Sequence, residues 1–359
     1  MLAFPLQGGA TLRDAADLAA AGLAPPGKAA ELARVAARYA VGVPPALAKL
    51  IDPADPDDPI ARQVIPSLAE LEQKSPERPD PIGDFAHSPV EGLVHRYPDR
   101  ALLKLVAVCA VYCRFCFRRE MVGPGRDAML PPEAFAAALA YIRGDPQIWE
   151  VILTGGDPLV LSERRLRETL SAIAAIEHVK VVRVHTRLPV AAPERVTHAL
   201  VRALKVEGAA TYVVLHANHP RELTDEARAA CARLIDAGVP MLSQSVLLRG
   251  VNDKVETLAA LMRAFVECRI KPYYLHHPDL APGTAHFRLP IEEGQALVRA
   301  LRGRLSGLCQ PSYMLDIPGG HGKAPIGLSS IRPLDAHGHY LVADHAGVEH
   351  RYPPEEQER

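Results

Sequence analysis

The chain has little net charge: −1 over 359 residues, so no strong field of either sign marks a nucleic-acid or anionic-membrane surface. It has no apolar run long enough to span a bilayer, which argues against a membrane protein. The opening residues, MLAFPLQGGATLRDAADLAA, lack a basic segment followed by an apolar stretch, so no secretory signal is read there. Lysine is scarce, nine among 41 basic residues, so a lysine in an unusual setting is informative. Cysteine is also scarce, six in all, and three of the six fall within eight residues. Clustered thiols that must stay reduced point to the cytoplasm. With 48% hydrophobic residues the chain can bury a large core.

The three clustered cysteines are Cys109, Cys113 and Cys116, in CAVYCRFC directly after the apolar run LLKLVAV (102–108). Three thiolates on one loop can hold three irons of a [4Fe–4S] cluster and leave the fourth iron open for a ligand. Zinc is the competing reading, but structural zinc takes four protein ligands. The remaining cysteines, Cys231, Cys268 and Cys309, are remote and sit in apolar or helical settings, as packing residues do.

The first ninety residues read as a helical and wrapping region. ATLRDAADLAAAGL and GKAAELARVAARYAV have helical periodicity, and a proline-rich stretch runs from Asp52 to Pro89. Beyond residue 101, short apolar runs alternate with amphipathic ones. Strands are expected at 102–108, 149–154, 179–184, 211–215, 239–244 and 270–275, with helices at 132–143, 162–176, 194–204, 224–237, 254–267 and 291–304. Six β/α units in a row imply an α/β fold with a parallel sheet, and the lengths fit a (β/α)6 barrel or partial barrel. Functional residues of barrels gather at the C-terminal strand ends, where the cysteine loop would lie. A further strand-like run, SYMLDI (312–317), leads into PGGHGKAP, and the last residues form a C-terminal extension. The expected divisions are 1–90, a core at 91–305, and a segment at 306–359.

Several other residues fall at strand ends. Gly155, Gly156 and Asp157 follow the second strand, where glycines permit close backbone approach and an aspartate is a free acceptor for an amino group. Taken alone, the three residues read more readily as an ordinary strand-to-helix turn. Lys323 follows a glycine-rich turn whose spacing does not match a P-loop, and it is either a Schiff-base lysine or a solvated one. Arg96 and Arg100, four apart in HRYPDR, can converge on a phosphate. Asp279 and Asp316 lie at strand ends and suit a cationic group, or cap a turn. His216 and Gln244 end the fourth and fifth strands.

Taken together, the blocks HRYPDR, CAVYCRFCFRRE, LTGGDPL, ANHPRELT, AGVPMLSQSVLLRGVND, PYYLHHPDL, AHFR and PGGHGK resemble the lysine 2,3-aminomutase family, from about residue 62 to residue 354. These enzymes use a [4Fe–4S] cluster, S-adenosyl-L-methionine (SAM) and pyridoxal 5′-phosphate (PLP). The resemblance implies a partial (β/α)6 barrel of the radical SAM type. It places the cluster on Cys109, Cys113 and Cys116, and SAM against Gly155, Gly156, Asp157, Gln244 and His216. It makes Lys323 the PLP lysine, with Arg96 and Arg100 on the phosphate. Arg118 would pair with the substrate α-carboxylate, and Asp279 and Asp316 with the distal ammonium of lysine. The implied reaction moves the α-amino group of L-lysine from C2 to C3, giving β-lysine through a 5′-deoxyadenosyl radical and a PLP aldimine.

An electron donor such as flavodoxin or ferredoxin is implied as partner, and a homo-oligomer is compatible. The chain departs from the family pattern at His276, where a tyrosine is common, and at His321, where a glycine is. No cysteine follows Cys309, where longer members carry a zinc segment, so intersubunit zinc is not expected. Shorter members include the enzyme that supplies β-lysine for elongation factor P, an alternative physiological role. A radical SAM aminomutase for another amino acid and a non-catalytic metal protein are the other readings.

Overall fold

The computed structural model describes residues 9–24, 27–123, 128–334 and 338–354. A nine-stranded sheet forms its body, with strands in sequential order: β1 (Leu93–Tyr97), β2 (Arg100–Val106), β3 (Glu150–Gly155), β4 (Val181–Thr186), β5 (Ala210–His216), β6 (Met241–Val246), β7 (Lys271–His276), β8 (Ser312–Asp316) and β9 (Lys323–Pro325). Strands β2 to β8 are mutually parallel, whereas β1 and β9 run antiparallel at the two edges. The parallel part therefore holds the six β/α units expected and one strand after them. Ser312–Asp316 is that strand, and it pairs with β7 across the expected division at 305/306.

Helices Pro132–Gly144, Glu163–Ala174, His198–Leu204, Asp225–Asp236, Val255–Glu267 and Ile291–Leu301 cross over between the parallel strands. Alternate strand residues face these helices, among them Leu103, Leu105, Val151, Leu153, Val182, Val184, Val213, Leu215, Leu275 and Tyr313, and together they form the main apolar core. The intervening residues face the concave side. The sequence reading started β4 and β6 two residues early because Val179 and Val239 are apolar and buried. Both instead close the preceding helix turn, their N–H groups donating to Ile176 and Leu234.

The sheet does not close, since β1 and β9 are not strand partners. The opening is spanned by side chains and by the proline-rich segment. Tyr97 Oη accepts from the Lys323 N–H at 2.6 Å, and His87 Nε2 lies 2.9 Å from the Gly320 carbonyl oxygen. Gly83 and Gly320 pack backbone to backbone, both at positive φ, where an added Cβ would collide. The N-terminal region packs beneath the cysteine loop, with Leu18, Leu32, Val43, Leu47, Ile60 and Val64 enclosing Val111. Strands β10 (Ile331–Pro333), β11 (Tyr340–Ala343) and β12 (Glu349–Tyr352) make a separate antiparallel sheet. Among the described residues, no helix is long and apolar enough to cross a membrane.

Candidate active site

Cys109, Cys113 and Cys116 are free thiols on the loop after β2, and all three line one cavity with Tyr39, Tyr112, Arg114 and Arg119. Its empty volume is about 360 Å³, including the part open to solvent. Burial, then the neighbouring thiol Cys113, pushes Cys116 up to about 11, and burial, then Cys116, Asp157 and Cys113, raises Cys109 well above the usual thiol range. Thiols held this way stay protonated unless a metal supplies positive charge. Among the described residues, no three His, Cys, Asp or Glu side chains converge as ligands of one metal ion. Three thiols around a wider cavity suit a polynuclear cluster with one open iron better than a lone zinc.

Buried ion pairs fix this loop. Glu70 accepts from Arg114 Nε at 3.0 Å and also pairs with Arg119, and Arg114 Nη1 donates to the Ala40 carbonyl at 2.7 Å. Arg187 Nη1 donates to Cys113 Sγ at 2.8 Å, while its Nη2 donates to Gln63 and Glu222, each at 2.7 Å. Sequence reasoning missed Glu70 and Arg187, whose partners lie far off in the chain.

The Gly155-Gly156-Asp157 turn has a different basis from the one expected. An added Cβ at Gly155 would meet the Val106 carbonyl oxygen, and one at Gly156 the Val108 carbonyl oxygen. The glycines thus let β3 approach the root of the cysteine loop. Asp157 is not a free acceptor, because its oxygens take Thr186 Oγ1 at 2.8 and 2.9 Å, Arg187 N at 2.8 Å and Leu159 N at 3.0 Å.

His216 and Gln244 are register partners on β5 and β6, facing the concave side. The His216 ring stacks on Phe115, within the cysteine loop, at 5.6 Å, and its buried Nε2 has no hydrogen-bond partner. Burial, then the charge of Arg187, holds it well below the usual histidine range. A buried neutral imidazole beside the cluster loop suits a polar ligand such as the SAM ribose.

Further along the concave face, Asp316 ends β8 and Lys323 begins β9 as its register partner. The Lys323 amine is ion-paired with Asp316, and His276 Nδ1 lies 3.6 Å from the same oxygen. His276 and Lys323 hold Asp316 well below the usual carboxylate range against the opposing effect of burial. Asp279 is the reverse case: burial, then the Asp316 charge, pushes it up to about 8, and its Oδ1 is buried without a partner.

Arg118 donates to Asp84 at 3.1 Å and to Thr154 Oγ1 at 3.1 Å. Arg96 donates to the other Asp84 oxygen at 3.1 Å and to the Ile82 carbonyl at 2.8 Å. A single carboxylate of the proline-rich segment therefore holds both arginines, and Arg96 and Arg100 do not meet as a simple pair. Arg100 stacks over Tyr97 at 3.8 Å and pairs with Asp99 at 2.6 Å, near the start of β2. Asp84 is the third functional residue that sequence reasoning missed.

The Lys323 amine beside orphaned carboxylate oxygens, with Arg100 joined to Lys323 through Tyr97, suits a phosphate-bearing aldehyde cofactor such as PLP. The radical SAM superfamily signature matches residues 103–262. The chain is 43% identical to the L-lysine 2,3-aminomutase of Clostridium subterminale, covering 80% of this chain and 68% of that protein. It is 38% identical to the L-lysine 2,3-aminomutase of Escherichia coli K12, covering 81% and 84%. Against the glutamate 2,3-aminomutase of Clostridioides difficile identity is 36%, covering 81% and 68%. The chain belongs to the lysine 2,3-aminomutase family of radical SAM enzymes.

Proposed function

We propose that this chain moves the α-amino group of L-lysine from C2 to C3, giving β-lysine, with a [4Fe–4S] cluster, SAM and PLP as cofactors. The observation that carries the choice of substrate is the acidic pair Asp279 and Asp316 beside Lys323. A site for glutamate needs a cation or a neutral donor at that end, whereas two carboxylates need a cation. When bound, the cofactors would supply a hydrogen-abstracting radical and a conjugated system for the migrating nitrogen.

The chain supplies position, charge and shelter. Cys109, Cys113 and Cys116 hold the cluster, with Arg187 neutralising charge at Cys113 and Glu70 locking the loop. Gly155, Gly156 and Asp157 brace the wall where SAM binds, and His216 and Gln244 face it. Lys323 carries PLP, and Arg96 and Arg100 face the phosphate. Arg118, aligned by Asp84 and Thr154, takes the α-carboxylate. Asp316 and Asp279 take the distal ammonium, which fixes C3 relative to the radical source. The half-barrel and the segment carrying Asp84 shield these groups from water. Radical SAM chemistry requires a reductant, for which a flavodoxin or ferredoxin suits.

The test is an anaerobic assay of the iron-reconstituted chain with SAM, PLP, dithionite and either L-lysine or L-glutamate. β-Lysine from lysine, absent with Cys113→Ala, is the expected result. SAM cleavage with β-glutamate as the product would move the chain to the glutamate branch.

A further inference from the structure

The side chains of β4 carry a signal that the roles above do not use. In VVRVHT the valines Val182 and Val184 enter the core, which leaves Arg183 and His185 on the concave face. Their register partners on β3 and β5 are Ile152, Val214 and Tyr212, none of which answers an imidazole. His185 Nε2 is closed off from solvent and has no hydrogen-bond partner. A buried ring nitrogen left unsatisfied costs stability unless it serves a ligand.

The charges facing His185 are those of Arg183, Arg118, His276 and Lys323. Burial first, then the cations of Arg183, Arg118 and Lys323, keep the imidazole neutral near pH 7. Within reach of the Lys323 charge, a neutral imidazole is a hydrogen-bond donor that adds no further positive charge to a crowded site. The groups around it are the amine that would capture an aldehyde and the arginine that would take the substrate carboxylate. On a pyridoxal ring, the polar atom next to the aldehyde is the phenolic oxygen.

We propose that His185 Nε2–H donates to the phenolic oxygen of pyridoxal phosphate, making His185 a cofactor-binding residue on β4. The inference rests on the reading of Lys323 as the cofactor lysine. Three chains test it: wild type, His185→Phe and His185→Gln, each titrated with pyridoxal phosphate while the visible absorption band is recorded. Circular dichroism and iron content after reconstitution serve as folding controls. His185→Phe should bind the cofactor at least tenfold more weakly, with a displaced absorption maximum. His185→Gln, whose amide still donates, should recover much of both.

Wild-type affinity and an unmoved band in His185→Phe would overturn the assignment. So would equal impairment of the two variants, because a filler of space would not distinguish phenylalanine from glutamine in this way. A wild-type chain that forms no visible band at all would reject the cofactor reading itself, and the assignment with it.

Discussion

The Lys323 amine is ion-paired with Asp316, the carboxylate that also lies 3.6 Å from His276 Nδ1. One acid thus faces two basic groups, and in the proposed reaction it also faces the substrate's distal ammonium. An amine held in an ion pair must leave its partner before it can attack an aldehyde, and Asp316 holds the Lys323 amine in this way. Asp316→Asn should therefore speed the capture of PLP at neutral pH, read as the rise of visible absorbance after mixing. The same variant should raise KM for lysine at least tenfold, because half of the ammonium site is gone. A capture rate equal to wild type would show that the ion pair does not restrain the amine.

Asp279 gives a pH prediction with a defined sign. Its folded pKa, about 8, lies above the ordinary carboxylate value, so the folded chain holds a proton that the unfolded chain has lost between those limits. Its contribution to stability is present at low pH and is lost as pH rises through about 8. The charges it faces are those of Asp316, Lys323, Arg118 and Asp84, and Asp316 stays ionised throughout that window. Melting temperature should fall from pH 6 to pH 8.5 more steeply in the wild type than in Asp279→Asn. Binding of the lysine ammonium lowers the Asp279 pKa, so calorimetry in buffers of different ionisation enthalpy should show proton release near pH 7. Identical pH slopes in the two proteins would contradict this account.

Glu70 joins the N-terminal region to the cysteine loop through Arg114 and Arg119, and all three side chains are almost fully buried. Neutralising one member of such a group leaves buried charge uncompensated, at a cost of about 3–5 kcal/mol. Glu70→Gln should lower the denaturation midpoint by a corresponding amount and reduce the iron retained after reconstitution. Full iron retention with a lowered midpoint would separate global stability from support of the loop.

Local spacing made some of this site legible, and long-range pairing hid the rest. Cys109, Cys113 and Cys116 signal themselves within eight residues, and Lys323 does so through the glycines before it. The β/α alternation gave the curled parallel sheet, because buried strands and amphipathic helices have distinct periods. It gave the six β/α units, and the strand-like run at 312–317 joins them as a seventh parallel strand, followed by an antiparallel edge strand and not by a helix. Asp84 was illegible because its partners are 12 and 34 residues away, and only folding of the proline-rich segment brings them together. His185 was legible in principle. A parallel-sheet strand covered on both faces is apolar throughout, so the alternation of valine with arginine and histidine in VVRVHT marks a functional face.

Gly156 offers a test of how β3 supports the cluster. Its backbone N–H donates to the Val106 carbonyl at 2.6 Å, and a Cβ there would collide with the Val108 carbonyl, the last backbone group before Cys109. Backbone cannot yield as the end of a flexible side chain can, so Gly156→Ala must push the two strand ends apart. Cys109 follows Val108 directly and should be displaced relative to Cys113, which Arg187 holds. The expected result is a chain that folds, with near-wild-type circular dichroism, but retains less than half of the wild-type iron after anaerobic reconstitution. Asp157→Asn supplies the contrast. It keeps an acceptor for Thr186 and Arg187 and adds no atom toward the loop, so it should retain more iron than Gly156→Ala. Equal iron in Gly156→Ala and wild type would mean that the loop relaxes around the added methyl, and that the glycine serves a ligand and not the packing of strand on loop.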